Sequence, residues 1–367
     1  MMKTPILSTA VSVTLAFAST TAIAAEYRIP RLADGTPDLQ GVWTNSTATP
    51  MERAPSLGNR RAYTEEEAAK VEGTARARVE NDAKPSDPNV KIGAAASLPP
   101  VGNYNQFWTD RGMSVANIRG EKRTSVIIDP PNGRIPPLTA QAQARLGRPA
   151  ERAGRTPGGL GEAFTGPEGF PVAGSANAEP RSDESDPALI GRADGPEQRG
   201  LGERCILGFG STSGPPMLPT MYNSYYQIVQ SPGIVVIHVE MVHDARIIRI
   251  DGKPLPKSVK KWMGDSVGHW EGNTLVVKTT NFRPEQSFRG TTENAVITER
   301  FTRVADDQID YQFTVDDPAA FTAKFTGELP FTRVNGNVYE YACHEGNYAL
   351  PGILGGARAE EAQAAKR

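Results

Sequence analysis

From Tyr222 onward, apolar and polar residues alternate in one short segment after another, the period of two that marks a strand with one buried face. Ile309, Tyr311, Phe313 and Val315 alternate with Gln308, Asp310, Gln312 and Thr314, and Phe321, Ala323, Phe325 and Leu329 with Thr322, Lys324, Thr326 and Glu328. The same reasoning predicts strands over 224–230, 234–241, 245–250, 274–280, 295–303 and 338–343. Ser231-Pro-Gly233, Asp251-Gly252, Glu271-Gly-Asn273, Asp306-Asp307 and Asn335-Gly336 supply the turns between them. Evenly spaced strands joined by hairpin turns predict a mainly β fold, an antiparallel meander closed as a lipocalin-like barrel or, alternatively, folded as a β-sandwich.

The chain before this point reads differently. Residues 25–215 are a Pro/Gly-rich irregular section with few periodic segments, one or two short helices and a strand at 39–44 that is free to join the barrel. Thr64, followed three residues later by Glu67, is a capping box that opens a helix running to about Asp82. A second short helix is expected over 138–146, and a strand over 123–129, ended by Pro130-Pro131-Asn-Gly133. Residues 147–204 are rich in Gly, Pro, Arg, Glu and Ser, and are read as either a long ordered wrap or partly disordered chain. The β domain is placed at 216–356 and a C-terminal tail at 357–367.

Composition adds three constraints. The 36 Gly and 30 Pro among 367 residues mean that much of the chain is turn or loop. The 40 basic residues against 42 acidic ones leave a net charge of −2, which gives no basis for a nucleic-acid partner. Lys3, the apolar run Ile6–Ala18 and the A-x-A site Ala22-Ile23-Ala24 mark residues 1–24 as a secretory signal, so a periplasmic or secreted protein is expected. No later stretch is apolar enough for a membrane span. In an oxidising compartment Cys205 and Cys343 are read as a disulfide, with separate buried thiols or a metal ligand as the alternatives.

All four histidines, His238, His243, His269 and His344, fall in the β half, each with a carboxylate nearby. Histidine suits proton transfer near neutral pH. His243, His269 and His344 with Glu240, Asp244 and Glu345 are therefore the candidate acid–base groups, and Arg246 the candidate anion or oxyanion partner. If 238–246 is one strand, His238, Glu240, Asp244 and Arg246 share a face and His243 takes the other. The competing reading of that face is a solvated surface with an ion pair. The cofactor is unknown, and stays open between none and, as the lesser alternative, a divalent metal held by His243, His269 and His344 with a carboxylate. Gly264-Asp-Ser266-Val-Gly268 matches the nucleophile elbow G-x-S-x-G, but it runs into turn and strand where the elbow needs a helix, so its glycines are read as a tight connection.

Pro37-Asp-Leu-Gln-Gly-Val-Trp43, Arg123 to Pro131, Gly202-Glu-Arg-Cys-Ile-Leu-Gly208, Gly264-Asp-Ser-Val-Gly-His-Trp-Glu-Gly272 and Tyr339-Glu-Tyr-Ala-Cys-His-Glu-Gly-Asn347 together resemble a family of secreted bacterial proteins whose activity is unassigned. The resemblance covers nearly the whole mature chain and implies export. Gly41-Val-Trp43 is also similar to the G-x-W of the first strand of lipocalin-like barrels, which implies a cup able to hold one small ligand.

Two functions follow as expectations. One is a periplasmic enzyme that acts on an aromatic or carbohydrate-derived small molecule by acid–base lyase, isomerase or hydrolase chemistry. The other is a non-catalytic small-ligand binding barrel. In both, Trp43, Trp270 and Tyr348 are expected to contact the ligand.

Overall fold

A computed structural model describes residues 27–83, 112–146, 193, 195–208, 214–220, 222–286 and 288–366. Residues 1–24, expected to be a secretory signal, and most of the stretch 147–204 lie outside these residues. The N-terminal section contributes β1 (Gly41–Thr44), α1 (Glu65–Asp82), the paired two-residue strands β2 (Asn117–Ile118) and β3 (Glu121–Lys122), β4 (Ile127–Asp129) and α2 (Ala140–Leu146). Then come β5 (Tyr225–Ser231), β6 (Ile234–Val239), β7 (Ala245–Ile250), β8 (Asp265–Glu271), β9 (Thr274–Thr280), β10 (Val296–Ala305), β11 (Gln308–Asp316), β12 (Phe325–Arg333) and a final helix, α3 (Ala349–Ala364).

Nine of the described strands close a barrel in the order β1, β5 to β12, with β12 returning to β1 through Trp43–Arg333 and Thr44–Thr332. β4 pairs with the other end of β12, at Thr326 and Gly327, so two N-terminal strands share one edge of β12. Closure leaves no unpaired sheet edge in the ring. The mainly β barrel expected from the alternation is therefore present, with one correction: it is not a pure antiparallel meander. β7 and β8 run parallel, with Ile248 opposite Ser266 and Ile250 opposite Gly268. Parallel neighbours need a crossover, and residues 251–264 provide it by carrying the chain back to the end where β7 began. Buried Asp265 pins that crossover by binding Arg249, Lys261 and the amide of Leu255.

Several segments differ from expectation: the strand expected over 123–129 forms only at Ile127–Asp129, and the one expected from Phe321 begins at Phe325. β8 occupies residues that read as turn, because Gly264 and Gly268 weaken the alternation. Residues 338–343, expected as a strand, run as irregular chain. The ring is already closed by β1, so no edge remains for them, and their polar groups are taken elsewhere: Tyr339 N–H donates to Glu240, and the Tyr341 carbonyl faces His243. Beyond them α3 spans the expected boundary at 356/357. Helix α1 opens as predicted: Thr64 Oγ1 accepts from the Glu67 amide and Glu67 accepts from the Thr64 amide.

The barrel packs its interior with its own side chains. Tyr226, Phe301, Tyr311, Phe313 and Phe331 are fully buried, and Tyr311 lies 5.0 Å from both Phe301 and Phe331, centroid to centroid. These are ring-contact separations, so the open cup expected of a ligand-carrying barrel is filled along this layer. Met217 reaches the same layer, its amide donating to Tyr311 Oη. No helix among the described residues is long and apolar enough to cross a membrane.

Candidate functional site

The hairpin between β6 and β7 brings the densest group of predicted residues to one end of the barrel. β6 stops at Val239, and Glu240 to Asp244 make a turn in which Val242 and His243 take positive φ angles of 60° and 48°. The segment 238–246 is therefore two strands joined by a turn, and the single-strand face expected for His238, Glu240, Asp244 and Arg246 does not form. Glu240 is buried and accepts amide hydrogens from Tyr225 and Tyr339, so it ties β5 to the C-terminal segment. His243 places Nδ1 3.1 Å from the Tyr341 carbonyl oxygen.

Asp244 is the most perturbed acid here. Its Oδ2 is buried with no hydrogen-bond partner among the described residues. Burial pushes its carboxyl up to about 6, against the opposing pull of His243. Burial, and then the neighbouring His243, push His238 below its usual value. His243 thus lies within electrostatic range of both Asp244 and His238.

Next to this turn, the loop at 202–205 and the segment 340–347 form a crevice of about 460 Å³. The Cys205–Cys343 disulfide joins its two walls, as expected from the sequence. Asn347 Nδ2 adds a hydrogen bond to the Glu203 carbonyl, at 2.7 Å. Leu350 and Ile353, from the start of α3, give an apolar side, while Asn223, Glu340 and Tyr341 give a polar one. Burial and then Tyr222 push the Tyr341 phenol up to about 12. His344 and Glu345 stand exposed on the same segment, and Tyr348, 83% exposed, contacts too little to serve as a preformed ligand platform.

The remaining predicted residues lie elsewhere. His269 is exposed at the far end of β8, paired with Glu271 at 3.1 Å. Because β7 and β8 are parallel and Ile250 faces Gly268, His269 sits about 20 Å along the barrel from the His243 turn. The three histidines do not converge, and among the described residues no group of three or more His, Cys, Asp or Glu is placed to hold a metal ion. Trp270, beside His269, packs against the core from that far end. Trp43 is fully buried, with its Nε1 donating to the Leu39 carbonyl and the Arg333 guanidinium 5.1 Å from its ring. Arg246 is inside the barrel, held by Glu299, and is no oxyanion partner at the surface. Ser266 is buried against Thr279, its Oγ 2.9 Å from Thr279 Oγ1, which accounts for it as a cross-strand contact.

Glu340, Tyr341 and Asn347 fall in the 339–347 motif but carry no expected role, because a segment read as a strand gives no sign of which side chains will face a crevice, and Asn223 carries no signal at all. Glu299 did leave a signal: it shares the parity of Ile297 and Phe301 on β10, a lone carboxylate on the inward face. Compared with family models, curated proteins and solved structures, the chain matches none.

Proposed function

We propose that this is an exported enzyme that binds a small organic molecule in the crevice beside the Cys205–Cys343 disulfide and transforms it by acid–base chemistry of the lyase, isomerase or hydrolase type. The observation that carries this reading is Asp244, a half-buried carboxyl with one oxygen unpartnered among the described residues and a pKa raised to about 6, set against His243. Such a pair can hold and release a proton near neutral pH. His243 in turn touches Tyr341 of the crevice wall. Export is supported by the leader pattern at 1–24 and by the disulfide.

The second reading is a binding protein without catalysis. It is favoured by one observation: neither His243 nor Asp244 is itself among the residues that line the crevice.

The test is a screen of aromatic alcohols, ethers, esters and glycosides for a change in mass on incubation with the purified protein. For any compound that turns over, Asp244→Asn and His243→Gln are expected to abolish turnover while leaving saturable binding. Binding without product would select the second reading, and turnover unchanged in both variants would remove Asp244 and His243 from the chemistry.

A further inference from the structure

The charge of the crevice walls bears on what they accept. Among the described residues that line it there is no Lys, Arg or His. Two carboxylates line it, and they are not equivalent. Glu203 is already occupied: one oxygen takes Arg199 at 2.8 Å and the other takes the Gly200 amide at 2.9 Å. Glu340 has no hydrogen bond or ion pair to a described residue, and its side chain is exposed at the crevice. Tyr341, its neighbour in the chain, brings an aromatic ring to the same crevice, and Leu350 and Ile353 bring aliphatic side chains.

An unpaired carboxylate next to an aromatic ring attracts ammonium groups and accepts hydrogen bonds from hydroxyls, while it repels carboxylates and phosphates. The aliphatic side gains from covering an apolar body. We infer that the crevice selects small molecules with an apolar body and a cationic or hydroxyl head, and rejects anions of the same shape, with Glu340 as the specificity-determining residue. This rests on the reading of the crevice as the ligand site.

Three probes of matched size separate the possibilities: 2-phenylethylamine, 2-phenylethanol and phenylacetate, measured by calorimetry on the full-length oxidised protein. The amine is expected to bind about fivefold more tightly than the alcohol, and the alcohol about fivefold more tightly than the anion, as expected of an exposed charge. Glu340→Gln is expected to level the series and Glu340→Lys to invert it, with salt weakening the attracted charged probe, strengthening the repelled one and leaving the alcohol unmoved. Phenylacetate binding as tightly as the amine, or an order of affinities unmoved by Glu340→Lys, would overturn the inference while leaving the crevice as a ligand site. Failure of all three probes to bind up to their solubility limits, or binding that survives Ala342→Trp in a folded protein, would overturn the crevice reading and this inference with it. Glu340 lies on exposed irregular chain, so these variants are expected to keep the parent Tm.

Discussion

Arg246 holds Glu299 by both terminal nitrogens, 3.0 and 2.6 Å from its two carboxylate oxygens, inside the barrel. Tyr311 adds its hydroxyl to the same carboxylate at 2.8 Å, and receives the Met217 amide in turn. Burial by itself disfavours the Arg246 charge, but Glu299 outweighs it and raises the Arg246 pKa. The pair is therefore an internal fixture of the fold. Removing one member leaves the other charge buried without a counter-ion, so Glu299→Gln or Arg246→Met is expected to cost about 3–5 kcal/mol in urea unfolding. The double variant Arg246→Met with Glu299→Leu is expected to cost less than either alone. A double variant that loses the sum of the two would show that they act independently.

Asp244 makes stability depend on pH in a stated direction. Its carboxyl has a folded pKa near 6 against an ordinary value of 3.8, so between these values the folded chain binds the proton that the unfolded chain releases. The contribution is complete below about pH 4 and is lost as pH rises through 6. Its size is about 1–2 kcal/mol, reduced from full burial because the side chain keeps some contact with water. Unfolding titrated from pH 4 to 8 is expected to show this fall in the parent and not in Asp244→Asn. An identical slope in both proteins would assign the dependence to other groups.

The alternation of β10 and β11 made the barrel readable, because each residue on the inward parity is buried by the strand opposite. Strands 245–250 and 274–280 have the bounds expected from the sequence. The parallel step at β7–β8 was not readable: it depends on where the 251–264 crossover sends the chain, and that is fixed by Asp265 meeting Arg249 and Lys261 after folding. The histidines show the same limit. His243 and His344 come to one end because a disulfide and a hydrogen bond to Tyr341 gather their segments, whereas His269 is carried to the other end by strand direction, which composition does not reveal. Arg246 stands out in the sequence, but its partner lies 53 positions away.

Gly264 and Ser266 separate packing from catalysis in the G-x-S-x-G segment. Gly264 has φ +70°, and a methyl group added to it falls 2.6 Å from Thr279 Cγ2 and 2.8 Å from the Phe282 ring. Gly264→Ala is therefore expected to lose about 1–3 kcal/mol in thermal or urea unfolding, from backbone strain and overpacking. Ser266→Ala removes one buried hydroxyl contact and is expected to cost about 1 kcal/mol, with turnover of any identified substrate unchanged. Loss of turnover in a folded Ser266→Ala protein would restore the serine as a nucleophile.

Cys205 and Cys343 are 138 positions apart, so their bond restrains a long stretch of the unfolded chain. Loop-closure entropy for that length is worth up to about 5 kcal/mol. Barrel closure does not depend on it: β12 meets β1 through backbone pairing, and the ring of aromatic side chains lies inside. The crevice depends on it more directly, because the disulfide is the covalent link between its walls, with the Asn347 to Glu203 hydrogen bond beside it. The double variant Cys205→Ser with Cys343→Ser is expected to keep its far-ultraviolet β spectrum and its ring-packing signal in the near ultraviolet. Its Tm is expected to fall, and 2-phenylethylamine is expected to stop raising that Tm. A variant that melts lower but still responds to the amine would show that the walls hold without their covalent link, and one without β signal would show that the barrel itself needs it.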